Sequence, residues 1–239
     1  MRIGLNISTV SGTLAGVGNY ALNLARKLPV VAPDNEWVFF GPDPAFAQSL
    51  SGNGVRVLAA RRTGLARVLW EQTGLPFEAR RQRVDLLHGA DFSRPVIHGG
   101  RMVNTVHGIS AFSNEDYYPP AKRAYKRALT RFALRRSAAI ITVSEFTRRQ
   151  ILERFAIARE RVFAVHHGVE PARGVCEPKG EPPFILFVGT VENRKNLVPL
   201  VEAFRMLKTE CRIPHRLVLA GRPGHGWETI RAAIENSKL

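Results

Sequence analysis

The chain has 239 residues, 45% of them hydrophobic, enough to bury one large or two modest cores. Lys and Arg number 35 against 20 Asp and Glu; the net charge of +15 falls mostly in residues 1–168 and favours phosphorylated ligands, an anionic membrane surface or nucleic acid as partners. No apolar run approaches the roughly 18 residues of a membrane-spanning helix, and Cys176 and Cys211 make neither a metal spacing nor a disulfide framework, so a reducing cytoplasm is expected.

Residues 2–7 read as a buried strand that enters the fold at once, without a leader segment. The small-residue run STVSGTLAGVG over 8–18 reads as a loop, and 19–28 as a helix with Tyr20, Leu24 and Leu28 on one stripe. A loop of this kind ahead of a helix lets backbone approach a ligand closely, so Gly16, Val17 and Gly18 are candidate loop contacts. The glycine spacing of a dinucleotide fingerprint and the lysine of a phosphate loop are both missing. Residues 36–40 and 55–59 read as strands around a short helix centred on Phe46. A further helix breaks at Gly74 and Pro76, and Trp70 ahead of the break reads as a packing anchor.

Residues 84–88 and 102–106 are apolar strands, each ending at or just before a histidine. His107 stands just past the second strand end, and His88 reads as a satisfied core group. No histidine pair has metal-ligand spacing, so no metal is expected. Residues 117–137 form a basic amphipathic helix with Ala124, Ala128, Leu129, Phe132 and Ala133 on its apolar face. Such a helix docks on its own sheet or lies on an anionic bilayer. Residues 138–143 are a strand, Ser144 caps a helix over 145–155, and 162–166 are another strand. Nucleic acid is not expected, because no recognition motif accompanies the charge.

Residues 171–182 (PARGVCEPKGEP) read as a linker. After it, 184–188 is fully apolar, the pattern of a strand buried on both faces of a parallel sheet. Gly189 ends it, and 196–207 read as a helix. Arg194 and Lys195 therefore sit at a strand's carboxyl end and before a helix N-terminus, where an open α/β sheet binds ligands and free N–H groups favour a diphosphate. Gly221 and Arg222 open a second glycine-rich strand end after 216–220, and a helix runs from 227 to 236.

The run Gly189-Thr-Val-Glu-Asn-Arg-Lys-Asn196 resembles the donor-phosphate loop of family 4 glycosyltransferases with the GT-B fold. Other motifs follow the same family in order: Trp70-Glu-Gln with Leu75-Pro76, Thr105-Val-His107, Ile140-Ile-Thr-Val-Ser-Glu145, and Val165-His-His-Gly-Val-Glu170. Three positions depart from it: Thr190 where an arginine is common, Gly108 where an acid is usual, and His167 in place of asparagine.

The resemblance implies an α/β protein with a Rossmann-like N-terminal domain over 1–170, a linker over 171–182, and an incomplete second Rossmann-like donor domain over 183–239. The implied activity is retaining, metal-independent transfer of a hexosyl group, often mannose. The donor would be a nucleotide-sugar such as GDP-mannose or a UDP-sugar, and the acceptor a glycan or lipid-linked molecule. Lys195 with Arg194 would hold the donor diphosphate, with Gly189, Gly221 and Arg222 near the nucleotide. His107 would be catalytic, and Gly16, Val17 and Gly18 would face the donor. Location would be cytoplasmic, at the inner face of a membrane where the acceptor is lipid-linked. The family's paired glutamates, eight positions apart, find no match, so these residues alone are expected to act weakly or not at all. A second reading is a non-catalytic α/β module that binds an acceptor, an anionic membrane or a partner chain. A third is a nucleotide-sugar epimerase of related architecture, against which the Arg194–Lys195 loop argues.

Overall fold

The computed structural model describes residues 1–12, 14–112, 117–169, 174 and 182–237. They fall into two compact units, one of residues 1–109 and 124–168, the other of residues 110–123 and 169–239. The expected linker lies outside the described residues except for Gly174 and Pro182, and so does Cys176.

The first unit holds seven strands: β1 (Arg2–Asn6), β2 (Glu36–Phe40), β3 (Val55–Leu58), β4 (Leu86–Gly89), β5 (Met102–Val106), β6 (Ala139–Thr142) and β7 (Val162–Ala164). All pair in parallel, in the order β3-β2-β1-β4-β5-β6-β7. The order reverses between β1 and β4, so the loops leaving these two strands diverge and open a crevice at the sheet's carboxyl edge.

Alternation along β2 shows how the sheet is covered. Trp37 and Phe39 join one core with Leu5, Ile7, Ala21, Leu22 and Ala25, where α1 (Gly16–Val31) and α2 (Pro44–Leu50) pack. Val38 and Phe40 point the other way and meet Leu75, Ala79, Leu87 and Met102, under α3 (Gly64–Gln72) and α4 (Gly74–Arg81). Each large apolar side chain so buried contributes about 1.5–3 kcal/mol.

Helix α5 (Pro120–Arg136) buries Leu129, Thr130, Ala133 and Leu134 and keeps most of its cations outside. Its last carbonyls are met by Arg161, whose Nη2 donates to Leu134, Arg135 and Ser137, the cationic partner a helix C-terminus favours. Helix α6 (Glu145–Arg154) begins as expected at Ser144, whose hydroxyl accepts from Thr147 N at 3.2 Å.

One local expectation changes here. The run over 8–18 is not all loop: α1 starts at Gly16, because residues 16–18 close its first turn, with Asn19 N donating to Ala15 O at 2.8 Å. Gly18 is buried in that turn, where a Cβ would come within 2.9 Å of Thr9 O. The helix break expected at Gly74 and Pro76 is present: α3 ends at Gln72 and α4 starts at Gly74, with Pro76 in its first turn, where a missing N–H has no partner to lose.

In the second unit β8 (Phe184–Val188) pairs in parallel with β9 (Arg216–Ala220), and α7 (Leu197–Thr209) lies against α8 (Trp227–Ser237). Val191, Leu197 and Ile230 form its small core, with Phe187 and Trp227 packed on them. The expectation that β8 is buried on both faces is overturned: Phe184 is 51% and Val188 72% exposed. A two-stranded sheet covered by helices on one side has no second layer for the outward side chains among the described residues.

Candidate functional site

In the first unit, chemistry gathers at the carboxyl ends of β1, β4 and β5, on the crevice that the strand order creates. His107 follows β5. Its Nε2 lies 2.9 Å from Ala90 O, an acceptor, so Nε2 carries the proton and Nδ1 is left with its lone pair. Tyr20, on α1, meets the ring edge to face at 4.7 Å between centroids, and His167 stacks on it at 5.8 Å. Burial holds the His107 imidazole below its usual range. The Ala90 bond and Asp91 oppose that shift, while His167 and Lys126 add to it. The ring is thus a neutral, oriented hydrogen-bonding group at pH 7.

Beneath it, Thr105 Oγ1 lies 3.0 Å from Tyr20 Oη and 2.9 Å from His88 Nε2. Burial pushes His88 down to about 4, in keeping with a neutral group that supports the site from below.

The loops around His107 are held by two buried polar residues whose roles the sequence did not reveal. Asn104, fully buried on β5, donates through Nδ2 to the carbonyls of Asp91 and Ser93 and accepts from Ser137 Oγ at 2.8 Å. Glu71, at the end of α3, accepts from Ser8 Oγ at 2.5 Å and from Ser93 Oγ at 3.3 Å, and Arg67 lies 3.3 Å away. It therefore ties the loop after β1 to the loop after β4. Burial pushes its carboxyl up, against the pull of Arg67 and the two serines. Tyr125 is pushed up to about 12 by burial and by the charges of Glu71 and Asp91, with Arg67 opposing. Phe92 crosses Tyr125 edge to face, and Lys126 Nζ stands 3.7 Å over the Phe92 ring. The signals for Glu71 were its place in the Trp70-Glu-Gln motif and its position four residues after Arg67 on a helix.

Gly16, Val17 and Gly18 form the first turn of α1, the helix that carries Tyr20 to His107. Gly16 has open space around its Cα.

The other predicted residues lie together in the second unit. The segments following β8 and β9 are laced by backbone bonds: Gly189 N to Ala220 O, Val191 N to Arg222 O, Gly224 N to Val191 O, and Asn193 N to His225 O, each 2.9 Å. Gly221 has no room for a side chain, since a Cβ would run into Gly189 O. On this platform Asn193–Lys195 make a single 3-10 turn, and left-handed Asn196 (φ 56°) leads into α7. Its first turn carries no acidic residue and no side-chain cap, which leaves N–H groups open. The two cations differ. Arg194 is engaged by Glu192, whereas Lys195 is exposed and its side chain has no hydrogen-bond or ion-pair partner among the described residues. Among the described residues no cluster of His, Cys, Asp or Glu could hold a metal, and no helix is long and apolar enough to cross a membrane.

Comparison with known proteins bears on the family and the fold. The O-antigen chain mannosyltransferase B of Escherichia coli is 27% identical over 95% of this chain, which covers 65% of that protein. The solved glycosyltransferase from Rickettsia africae superposes with a TM-score of 0.59 at 15% identity. Anabaena HepE, solved in complex with UDP and glucose, superposes at 0.61 and 12%. Each match spans all of this chain and 65% of the solved one. The fold is the α/β, GT-B type that the sequence implied. The model of Glycosyltransferase Family 4 matches residues 14–173, two thirds of the sequence, and the chain belongs to that family.

Proposed function

We propose that the chain serves retaining transfer of a hexosyl group, mannose first among candidates, from a nucleotide-sugar to a glycan or lipid-linked acceptor. The observation that carries this reading is Lys195, a cation with no partner among the described residues, on a hydrogen-bonded double loop beside the open N-terminus of α7. As the bond from the sugar to the diphosphate breaks, negative charge grows on the leaving phosphate. A fixed cation and helix N–H groups stabilise that charge without having to reorganise. By the family resemblance the leaving oxygen takes the acceptor's proton on the same face, so that no protein nucleophile and no metal ion is needed. In this reading His107 would offer its neutral imidazole to the sugar, with the orientation that Ala90 and Tyr20 give the ring. The Escherichia coli mannosyltransferase among its relatives favours mannose, and the UDP and glucose bound by HepE keep a UDP-sugar open. The chain covers 65% of that relative, so these residues alone are expected to turn over weakly or not at all.

Calorimetric titration with GDP and with UDP tests the reading, on the protein and on the Arg194→Ala/Lys195→Ala variant. Binding of one nucleotide that the double variant abolishes is the expected result. Equal binding by both proteins would overturn the assignment of these cations.

A second reading, peripheral contact with an anionic membrane at the cytoplasmic face, is favoured by the exposed Lys122, Arg131 and Arg135 of α5. Sedimentation with phosphatidylglycerol vesicles should drop on Lys122→Glu/Arg131→Glu substitution, and unchanged sedimentation would sink it.

A further inference from the structure

A cavity of about 510 Å³ lies in the first unit, apart from the His107 site. Met102, which opens β5, and Ala138, which precedes β6, belong to its wall, so it sits at the amino ends of these strands. His107 follows the carboxyl end of β5, five residues on, or roughly 16 Å at about 3.3 Å per strand residue.

Its charged wall is Arg94, His98, Arg101 and Arg136, and no carboxylate among the described residues lines it. Arg94 is 5% exposed. Its Nη2 donates to the carbonyls of His98 and Gly100, at 3.0 and 3.1 Å, which curls the loop around the guanidinium. Nε and Nη1 have no acceptor among the described residues, and neither does His98 Nε2. A buried guanidinium half unsatisfied is costly, and a second cation beside it raises the cost. Burial and the Arg136 charge together push the Arg94 pKa down. The rest of the wall is apolar: Phe132, with the exposed Val96 and Ile97.

We propose that this cavity is an anion site for a phosphate-class oxyanion, free or as the phosphoester of an apolar group. Exposed Arg101 and Arg136 bond its oxygens, Arg94 and His98 add charge and a donor from the wall, and Val96, Ile97 and Phe132 receive the organic part. Arginine's planar fork matches phosphate geometry, and a desolvated guanidinium strengthens the attraction. The site is independent of the proposed donor loop.

The test is calorimetry with inorganic phosphate and with hexyl phosphate at matched ionic strength. Saturable binding of both is expected, tighter for hexyl phosphate if the natural ligand is an amphiphile and equal if it is free phosphate. Arg101→Gln and Arg136→Gln alter exposed residues and leave the fold intact. Each should weaken binding about tenfold, the loss of one charge-assisted bond. Lys195→Ala should change nothing here, which separates this site from the donor loop. No saturable phosphate binding, or affinity unchanged in the Arg101→Gln/Arg136→Gln double variant, would overturn the proposal.

Discussion

Tyr20 and His107 meet edge to face, their ring centroids 4.7 Å apart and their planes at 87°. The contact joins a helix that starts at the glycine-bearing turn to the strand end that carries the candidate histidine. The Tyr20 hydroxyl is fixed in turn by Thr105, which also meets His88. Thr105→Val removes both bonds while keeping shape. It should destabilise the protein by about 1–3 kcal/mol, as two buried groups lose their partner, and a urea denaturation midpoint would show it. An unchanged midpoint would mean that Tyr20 and His88 find other partners.

Acid should unfold the protein through its histidines. The folded pKa of His88 is about 4, below the ordinary 6.5, so the unfolded chain binds its proton first. Stability from His88 is complete above about pH 6.5 and falls as pH drops toward 4, by up to about 3 kcal/mol. His107 and His98 shift in the same direction and add to the slope. Glu71 works against it: its carboxyl is raised, so its contribution is present at low pH and lost as pH rises through the folded value. Denaturation midpoints between pH 4 and 7 should slope less in His88→Asn than in the parent protein.

Glu71→Ala should cost about 2–4 kcal/mol, since it strands Ser8, Ser93 and Arg67 at once. Glu71→Gln keeps an acceptor for one serine and should cost less than half as much. Equal losses, read from chemical denaturation, would show that charge alone matters.

Two glycines in one turn of α1 should respond oppositely. Gly18→Ala meets Thr9 O at 2.9 Å and should destabilise by about 1–3 kcal/mol. Gly16→Ala enters open space and should stabilise by up to about 1 kcal/mol, because it reduces the freedom of the unfolded chain. Thermal melts of the two variants would decide.

On the donor loop, Lys195→Ala should weaken nucleotide binding more than Arg194→Ala, by about tenfold against a few-fold. Arg194 already shares its charge with Glu192, and Lys195 does not. Calorimetry on the single variants with GDP and UDP would reverse this ranking if Glu192 lets go of Arg194 when a nucleotide binds.

The apolar runs marked every strand of the large sheet, and Ser144 and the glycines marked the helix ends, because burial and capping leave local signatures. The boundary of α1 was missed because small residues suit a first helical turn as well as a loop. The exposure of β8 was missed for another reason: an apolar run records a demand for cover, and a second layer is a matter of tertiary structure. His107, Arg194 and Lys195 stand out as candidates from motif and spacing. The contacts of Glu71 and Asn104 are not legible there, since their partners Ser8, Ser93 and Ser137 are as far as 63 residues away and bond only once the sheet is assembled.

The strand order has a consequence for synthesis on the ribosome. β1 lies between β2 and β4, so its second edge finds no neighbour until residue 89 has left the exit tunnel. At about 5–20 residues per second, some 4–17 s separate the two strands' emergence. Throughout that interval Leu5 and its neighbours stand at the open edge of a half-built sheet. A chaperone that grips short apolar strands would find one in β1 throughout that interval.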